Sequence, residues 1–193
     1  ILEQRVAGAL RQAGASEASL AAATRAMLHA SLVGVDSHGV RLTEHYCRML
    51  AGGRLNKNPQ IKVEIRAAGS AMVDGDDGLG HYAAYRAVET GIELAVKAGV
   101  GAVGVAHSSH LGAAGAYALA GAEQGFVTFA TTNTDSMVAL FDGAQRFHGT
   151  NPLAFAAPVY GCGLLGRVAR WRTYLDPIGP AAASRWQQLW DPS

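Results

Sequence analysis

One short segment of the chain carries side chains that can exchange a proton and hold an anion. It runs from Asp36 to Arg41 and reads DSHGVR. An imidazole exchanges a proton near neutral pH, and a guanidinium binds a carboxylate through two parallel hydrogen bonds. The segment therefore suits an anionic substrate whose carbonyl or hydroxyl takes part in proton transfer. In the alternative, Asp36 or Ser37 only caps the following helix while His38 and Arg41 face solvent.

A second group of polar residues surrounds His110. Ser108 and Ser109 precede it, and Gly112 follows it at the start of a predicted helix. Glycine lets a backbone approach a ligand closely and a helix N-terminus favours anions, so this turn is predicted to face a ligand. His107 and His110 also have a spacing that serves metals. Because zinc needs one or two more ligands and the other candidates form no recognisable set, we do not favour a metal site.

Two further segments carry groups that suit either a ligand or a tight turn. Asn133 follows a predicted strand, and Thr150, Asn151 and Pro152 form a turn that begins with a glycine. Their amide and hydroxyl groups either bind a cofactor or close Asx-type turns within the chain. The glycines at 99, 101 and 104 spell GxGxxG. They follow a helix and occupy a predicted strand, which is the wrong context for a Rossmann dinucleotide site.

Periodicity predicts helices first and a sheet later. Four segments have apolar residues at helical spacing: 2–13, 16–32, 41–50 and 81–98. Ser16 can cap the second of these helices. Apolar and charged residues alternate over 61–66, which predicts a half-buried strand that pairs with Met72 and Val73. Residues 74–80 are predicted to form a loop.

The segment 100–131 predicts one βαβ unit. An apolar run at 100–106 precedes the His110 turn, a helix of small residues over 112–124 and a second strand at 126–131. A right-handed crossover places the turn at the carboxyl end of its strand, where open α/β sheets usually bind ligands. Two further apolar segments predict strands: 138–141 and 153–157.

Composition excludes several classes of protein. Sixteen Lys and Arg against fifteen Asp and Glu, a net charge of +1, provide no basic surface for nucleic acid. No apolar run reaches the roughly 20 residues that span a bilayer, and the chain opens without a signal pattern, so a cytoplasmic protein without membrane contact is expected. The 49% of hydrophobic residues support a globular core. Cys47 and Cys162 show no CxxC spacing and fit a reducing compartment.

Several motifs occur in a distinctive order. They are DSHGVRL with Tyr46, AGGRLN, VDGDDGLG, SHLGAAG and GTNPLA, beginning at residues 36, 51, 73, 109 and 149. In this order they closely resemble the malate/L-lactate dehydrogenase family of NAD(P)-dependent oxidoreductases, over about residues 2–159. Members of that family include ureidoglycolate dehydrogenase, diketogulonate reductase and piperideine-carboxylate reductase.

The resemblance implies hydride transfer between NAD or NADP and a small 2-hydroxy acid or its 2-oxo counterpart, on an α/β fold that is not Rossmann. It implies that His38 is the general acid/base with Ser37 as relay partner, and that His110 lies close to the reacting centre. Arg41 is the implied carboxylate anchor, although some members place the arginine one position later, where this chain has Leu42. The other implied contacts are Asn133 with substrate, and His110, Leu111, Gly112, Ala113, Ala114, Thr150, Asn151 and Pro152 with cofactor.

The resemblance also divides the chain. It implies a helical segment over 1–56 and a partial α/β domain for cofactor and substrate over 57–159, in a family that is typically dimeric. Residues 160–193 hold all three Trp and no Lys, and resemble nothing in the family. We hypothesise that this tail is a frameshift or a wrong gene end, which leaves the fold truncated. The alternatives are an inactive remnant that binds a carboxylate or dimerises, and a His-based metal hydrolase.

Overall fold

The computed structural model describes residues 1–158 and 172–174, so most of the tail at 160–193 lies outside the described residues. The N-terminal part consists of three helices, α1 (Leu2–Gln12), α2 (Glu17–Leu32) and α3 (Thr43–Ala51). Two 3-10 turns, Asp36–His38 and Val40–Leu42, join α2 to α3. The predicted helix over 41–50 therefore begins as a 3-10 turn and becomes an α-helix at Thr43.

The three helices share one buried apolar cluster. Leu10 on α1 and Leu50 on α3 are completely buried in it, and the ring of Tyr46 lies among them. Ser16 caps α2 as predicted, since its side-chain oxygen accepts a hydrogen bond from the Ser19 N–H at 3.3 Å. The cluster fixes α3, and with it Tyr46, relative to the other helices.

A mixed sheet follows the helices. Its strands are β1 (Lys62–Ala67), β2 (Ser70–Gly78) and β3 (Ala102–Ser108), and α4 (Gly80–Ala98) connects β2 to β3. β1 pairs antiparallel with β2, whereas β2 and β3 are parallel. β2, α4 and β3 are therefore a βαβ unit, and both strands end at the same edge. The predicted pairing near Val73 is confirmed, because Val63 lies opposite it.

Two expectations for this sheet are wrong. Residues 74–78 are strand and not loop, because pairing with β3 resumes at Gly78 after a bulge in which Asp76 and Asp77 take φ values of 48° and 52°. The first strand is not half-buried. It is the outer strand of the sheet, and five of its six residues are exposed.

Helix α4 is the longest helix and ends where the sequence predicts. Gly99 follows its last turn with a φ of 79°, the left-handed conformation in which glycine is favoured. Gly99 is thus a helix cap and Gly104 lies inside β3, so the GxGxxG run is not a strand-to-helix turn. No helix in the described part of the chain is both long and apolar enough to cross a membrane.

The predicted βαβ unit over 100–131 is wrong. The helix after β3, α5 (Gly115–Ala122), is shorter than predicted, because Gly112 at the predicted start takes a φ of 75° that no α-helix accommodates. The following strand, β4 (Thr128–Thr131), lies in a different sheet from β3. An apolar cavity of about 540 Å³ separates the two strands. The βαβ unit of this fold lies one strand earlier.

The second sheet packs against α5 through small residues. Its order is β4-β7-β8, with β7 at Leu153–Ala156 and β8 at Arg172–Tyr174, while β5 (Val138–Ala139) and β6 (Arg146–His148) form a separate antiparallel pair. Ala118 on α5 contacts Ala154 and Ala156 in one buried cluster. The strand predicted over 153–157 is half-buried, since Phe155 is 47% exposed. Of the residues predicted as a strand over 138–141, only the first two belong to β5.

We expect the helical cluster to dominate the stability of the N-terminal part. Replacement of Leu50, fully buried, by Ala removes packed methyl groups and leaves a cavity, so Leu50→Ala should lower the free energy of unfolding by about 2–5 kcal/mol. Leu32→Ala is the matched control, because Leu32 is 85% exposed; its change should stay within about 0.5 kcal/mol. Urea denaturation measures both. Equal losses would contradict this assignment of the core.

Candidate active site

A cleft of about 730 Å³ opens where the N-terminal helices meet the carboxyl ends of β2 and β3. Its polar lining includes Ser37, His38, His45, Tyr46, Ser109 and His110. Residues from the 3-10 turns, from α3 and from the turn after β3 thus share one space. The two histidines that the sequence singled out, His38 and His110, are brought together there from distant parts of the chain.

Close packing on α2 fixes His38. The next residue, Gly39, lies so close to Ser31 on α2 that a Cβ at Gly39 would overlap the Ser31 hydroxyl. The same hydroxyl accepts a hydrogen bond from the Val40 N–H at 3.0 Å. The Ser37 Oγ and the His38 Nδ1 are hydrogen-bonded at 2.9 Å. The serine therefore orients the imidazole and leaves its Nε2 available for another partner.

Ser109 fixes the turn that carries His110. Its hydroxyl donates a hydrogen bond to the Gly78 carbonyl and accepts one from the Gly80 N–H, both at 2.9 Å. Gly80 lies against the Ser109 carbonyl, where any Cβ would overlap it. One side chain therefore joins the end of β2, the start of α4 and the turn after β3. As predicted, the His110 turn lies at the carboxyl end of its strand.

Three rings meet inside the cleft. The centroids of His38 and His110 lie 5.4 Å apart, and the Tyr46 ring is stacked on His110 with an interplanar angle of 25°. The Tyr46 hydroxyl and the His110 Nδ1 are hydrogen-bonded at 2.7 Å. Each histidine thus has its Nδ1 bonded to a hydroxyl group and its Nε2 free of that bond.

The surroundings favour the uncharged forms of these rings. Desolvation, together with the nearby His38 and His45, lowers the pKa of His110 to about 4. Partial burial also lowers the pKa of His38. Burial raises the pKa of the Tyr46 hydroxyl, which keeps its proton. At neutral pH both imidazoles are therefore neutral, with one N–H donor and one nitrogen lone pair that can accept a hydrogen bond.

His81 packs against this group of rings from the protein interior. It is completely buried, its ring packs edge-on against Tyr46 at 4.8 Å, and neither ring nitrogen has a hydrogen-bond partner in the described part of the chain. Burial lowers the pKa of His81 to about 3, so the ring is neutral. The sequence offers His81 only as a candidate metal ligand in an unrecognisable set, and Tyr46 only as a companion of the first motif. Tyr46 lies four residues, about one helical turn, after Leu42. That spacing indicates that the two side chains lie on the same side of the helix.

Among the residues predicted to bind the cofactor at 110–114, only His110 lines the cleft. Gly112 is buried with a φ of 75°, and a Cβ there would lie 3.1 Å from the His81 Nε2. Leu111 and Ala114 line the apolar cavity between β3 and β4 instead. Contact of this segment with a cofactor stays a prediction.

Other predicted contacts lie elsewhere. Arg41 and Asn133 are exposed, and neither lines the cleft, whereas Leu42 does. Asn151 Oδ1 accepts a hydrogen bond from the Thr134 N–H at 3.1 Å, and the Thr150 N–H donates to Thr134 Oγ1 at 2.8 Å. These bonds tie the turn to Thr134, 16 or 17 residues earlier in the chain, and are not local Asx-type turns. A role for these residues in binding stays a prediction.

The two histidines considered as a metal pair have different partners. His107 belongs to β3, and its Nδ1 lies 3.2 Å from a carboxylate oxygen of Asp74. His110 is bonded to Tyr46 instead. Among the described residues, no three His, Cys, Asp or Glu side chains group closely enough to hold a metal ion.

Comparison with known proteins identifies the family. The family model for malate/L-lactate dehydrogenase matches residues 1–163. This chain belongs to that family. The malate dehydrogenase of Pyrococcus abyssi is 40% identical over 79% of the chain, and ureidoglycolate dehydrogenase (NAD(+)) of Escherichia coli K12 is 34% identical over 91%. The malate dehydrogenase structure from Pyrococcus horikoshii OT3 matches 94% of the chain with a TM-score of 0.84 and 32% identity.

The match covers only part of each relative in this malate/L-lactate dehydrogenase family. The chain spans 41% of the Pyrococcus abyssi protein, 52% of the Escherichia coli protein and 51% of the Pyrococcus horikoshii structure. The resemblance of the five motifs to this family is confirmed, as is an α/β fold with a mixed sheet. The described helices and sheets correspond to about half of a family member.

We expect Gly112 to be intolerant of a side chain. Gly112→Ala should lower the free energy of unfolding by about 1–2 kcal/mol through left-handed backbone strain, with an added cost from the contact with His81. Gly34→Ala is the control for strain alone, because Gly34 has a φ of 80° and nothing within 4 Å of its Cβ position. Urea denaturation gives both values. A loss no larger than that of the control would contradict the contact with His81.

We expect stability to fall in acid because of the site histidines. The folded His110 has a pKa of about 4 against an ordinary 6.5, so the unfolded chain binds more protons between these values. The free energy of unfolding should be at its full value above about pH 6.5 and decrease from there towards pH 4. His110→Gln should flatten this dependence, measured by urea denaturation at each pH. An unchanged slope in the variant would contradict the shift.

Proposed function

We propose that the chain carries part of the active site of an oxidoreductase that transfers a hydride between NAD or NADP and a small 2-hydroxy acid or its 2-oxo counterpart. One observation carries the proposal: His38 and His110 face the same cleft 5.4 Å apart, each with Nδ1 bonded to a hydroxyl. The family relatives named for malate, sulfolactate and ureidoglycolate support the class of substrate.

His38 is the proposed general acid/base. In the direction of oxidation, its Nε2 accepts the proton of the substrate hydroxyl while its Nδ1–H donates to Ser37 Oγ, 2.9 Å away. In the direction of reduction, the protonated ring returns that proton to the substrate oxygen. Because partial burial lowers the pKa of His38, the neutral form that can act as base predominates at neutral pH.

His110 is the proposed hydrogen-bond donor to the same oxygen. When the Tyr46 hydroxyl donates to Nδ1, the single proton of the neutral His110 ring is on Nε2. An N–H held in place by a stacked tyrosine stabilises negative charge on the substrate oxygen without reorganisation. With its pKa lowered to about 4, His110 stays a neutral donor and leaves proton transfer to His38.

The turn from His110 to Ala114 is the proposed contact with the cofactor. His110 lines the cleft, the residues at 112–114 have small side chains or none, and the start of α5 favours a negative group. Nicotinamide, when bound, supplies or accepts the hydride. The GxGxxG run has no part in this, since its glycines cap α4 and lie in or before β3, and we infer a fold other than Rossmann.

Oxidation of NADH and NADPH, followed at their absorbance with a panel of 2-oxo acids, tests the proposal. His38→Gln keeps the size of the side chain but removes proton exchange, and should reduce kcat by about 10²- to 10⁴-fold. His107→Gln is the matched control, because His107 is 69% exposed and does not line the cleft. No turnover by the folded wild-type chain, or full turnover by His38→Gln, would contradict the proposal.

A further inference from the structure

We propose that Arg54 binds the carboxylate of the substrate, the group next to the reacting carbon. This inference rests on the proposed function, which requires an anionic substrate beside His38. It assigns the anchor to a residue 13 positions after Arg41, the arginine that the resemblance implies. The observations that support it are the lining of the cleft, the backbone around Arg54 and the absence of a competing ion pair.

The first observation is that Arg54 lines the cleft. Of the Lys and Arg residues in the described part of the chain, only Arg54 contributes to the lining. Arg41 is exposed outside that lining, and its neighbour Leu42 occupies the wall instead. A 2-oxo acid bound between the histidines therefore finds one guanidinium within its own cavity. That guanidinium can bind a carboxylate through two parallel hydrogen bonds.

The second observation is that the backbone holds Arg54 in a defined place. The Arg54 N–H donates to the Met49 carbonyl at 3.1 Å, which ties it to the end of α3. The next residue, Leu55, is buried in the helical cluster. The Asn56 N–H then donates to the Asp77 carbonyl at 2.9 Å, next to the carboxyl end of β2. The backbone is thus anchored on both sides of Arg54, to the end of α3 before it and to Asp77 near the end of β2 after it.

The third observation concerns charge. The Arg54 guanidinium forms no ion pair with a carboxylate of the described residues, whereas the Arg48 guanidinium pairs with Glu44 at 2.5 Å. Asp77 and Asp135 line the same cleft, and neither pairs with Arg54. The Arg54 guanidinium is therefore available to the carboxylate of a ligand.

Calorimetric titration with oxamate tests this, because oxamate carries a carboxylate beside a carbonyl and has no other acidic group. The folded chain is titrated with and without saturating NADH. Arg54→Gln should raise the Kd for oxamate about 10- to 100-fold, and Arg54→Lys, which keeps the charge but not the paired hydrogen bonds, should raise it less. Arg66→Gln is the control, since Arg66 is exposed on β1 and pairs only with Glu64.

Arg41→Gln is the competing variant. A weaker Kd in Arg41→Gln together with an unchanged Kd in Arg54→Gln would overturn the inference. So would equal oxamate affinity in wild type and Arg54→Gln, or no oxamate binding by the wild type in either titration. If Arg54→Gln altered turnover only with 2-oxo acids that carry a second acid group, the inference would also be wrong, because Arg54 would then bind the distal group.

The proposed function can fail separately from this inference. Absence of hydride transfer, with oxamate binding that still depends on Arg54, would remove the oxidoreductase proposal and keep the anion site. Hydride transfer that depends on His38, with oxamate affinity independent of Arg54, would keep the oxidoreductase proposal and remove Arg54 as the anion site. Arg54 is exposed, and thermal unfolding followed by circular dichroism should show that its variants fold like the wild type.

Discussion

The hydrogen bond between the Tyr46 hydroxyl and His110 Nδ1 joins two parts of the chain that are 64 residues apart. Tyr46 is held by the helical cluster, and His110 by the bonds of Ser109 to the ends of β2 and α4. Neither part contains a complete site. At the cleft, this bond and the stacked rings connect the two parts so that His38 faces His110, while α2 also packs on α4 and α5 through Ala26, Ala84 and Tyr117.

Desolvation is the second constraint on the site. It lowers the pKa of His38, His81 and His110 and raises that of Tyr46, so a group of four titratable rings carries no net charge at neutral pH. Charged imidazoles at this spacing would repel one another. A neutral group can pack closely, and it leaves an arginine as the one fixed positive charge that the described residues place at the cleft.

The chain has the family fold over about half of its relatives' length. The matched relatives are about twice as long, while the TM-score of 0.84 to the Pyrococcus horikoshii structure shows that the described half has the family fold. Within the described residues, β3 and β4 belong to different sheets, and an apolar cavity lies between them. Substrate identity and the choice between NAD and NADP belong to the proposal and to its tests.

The sequence by itself determined the local elements and the chemistry of single residues. Helical periodicity located α1, α2 and α4, and ordered motifs identified the family, because periodicity and motif order are properties of neighbouring residues. Strand partners were decided by the tertiary structure: β3 pairs with β2 and not with β4, since pairing depends on which edges meet in space. The roles of Tyr46 and His81, and the placement of Leu42 in the cleft wall while Arg41 lies outside it, were likewise decided there. Such facts depend on how distant segments pack, which no local pattern encodes.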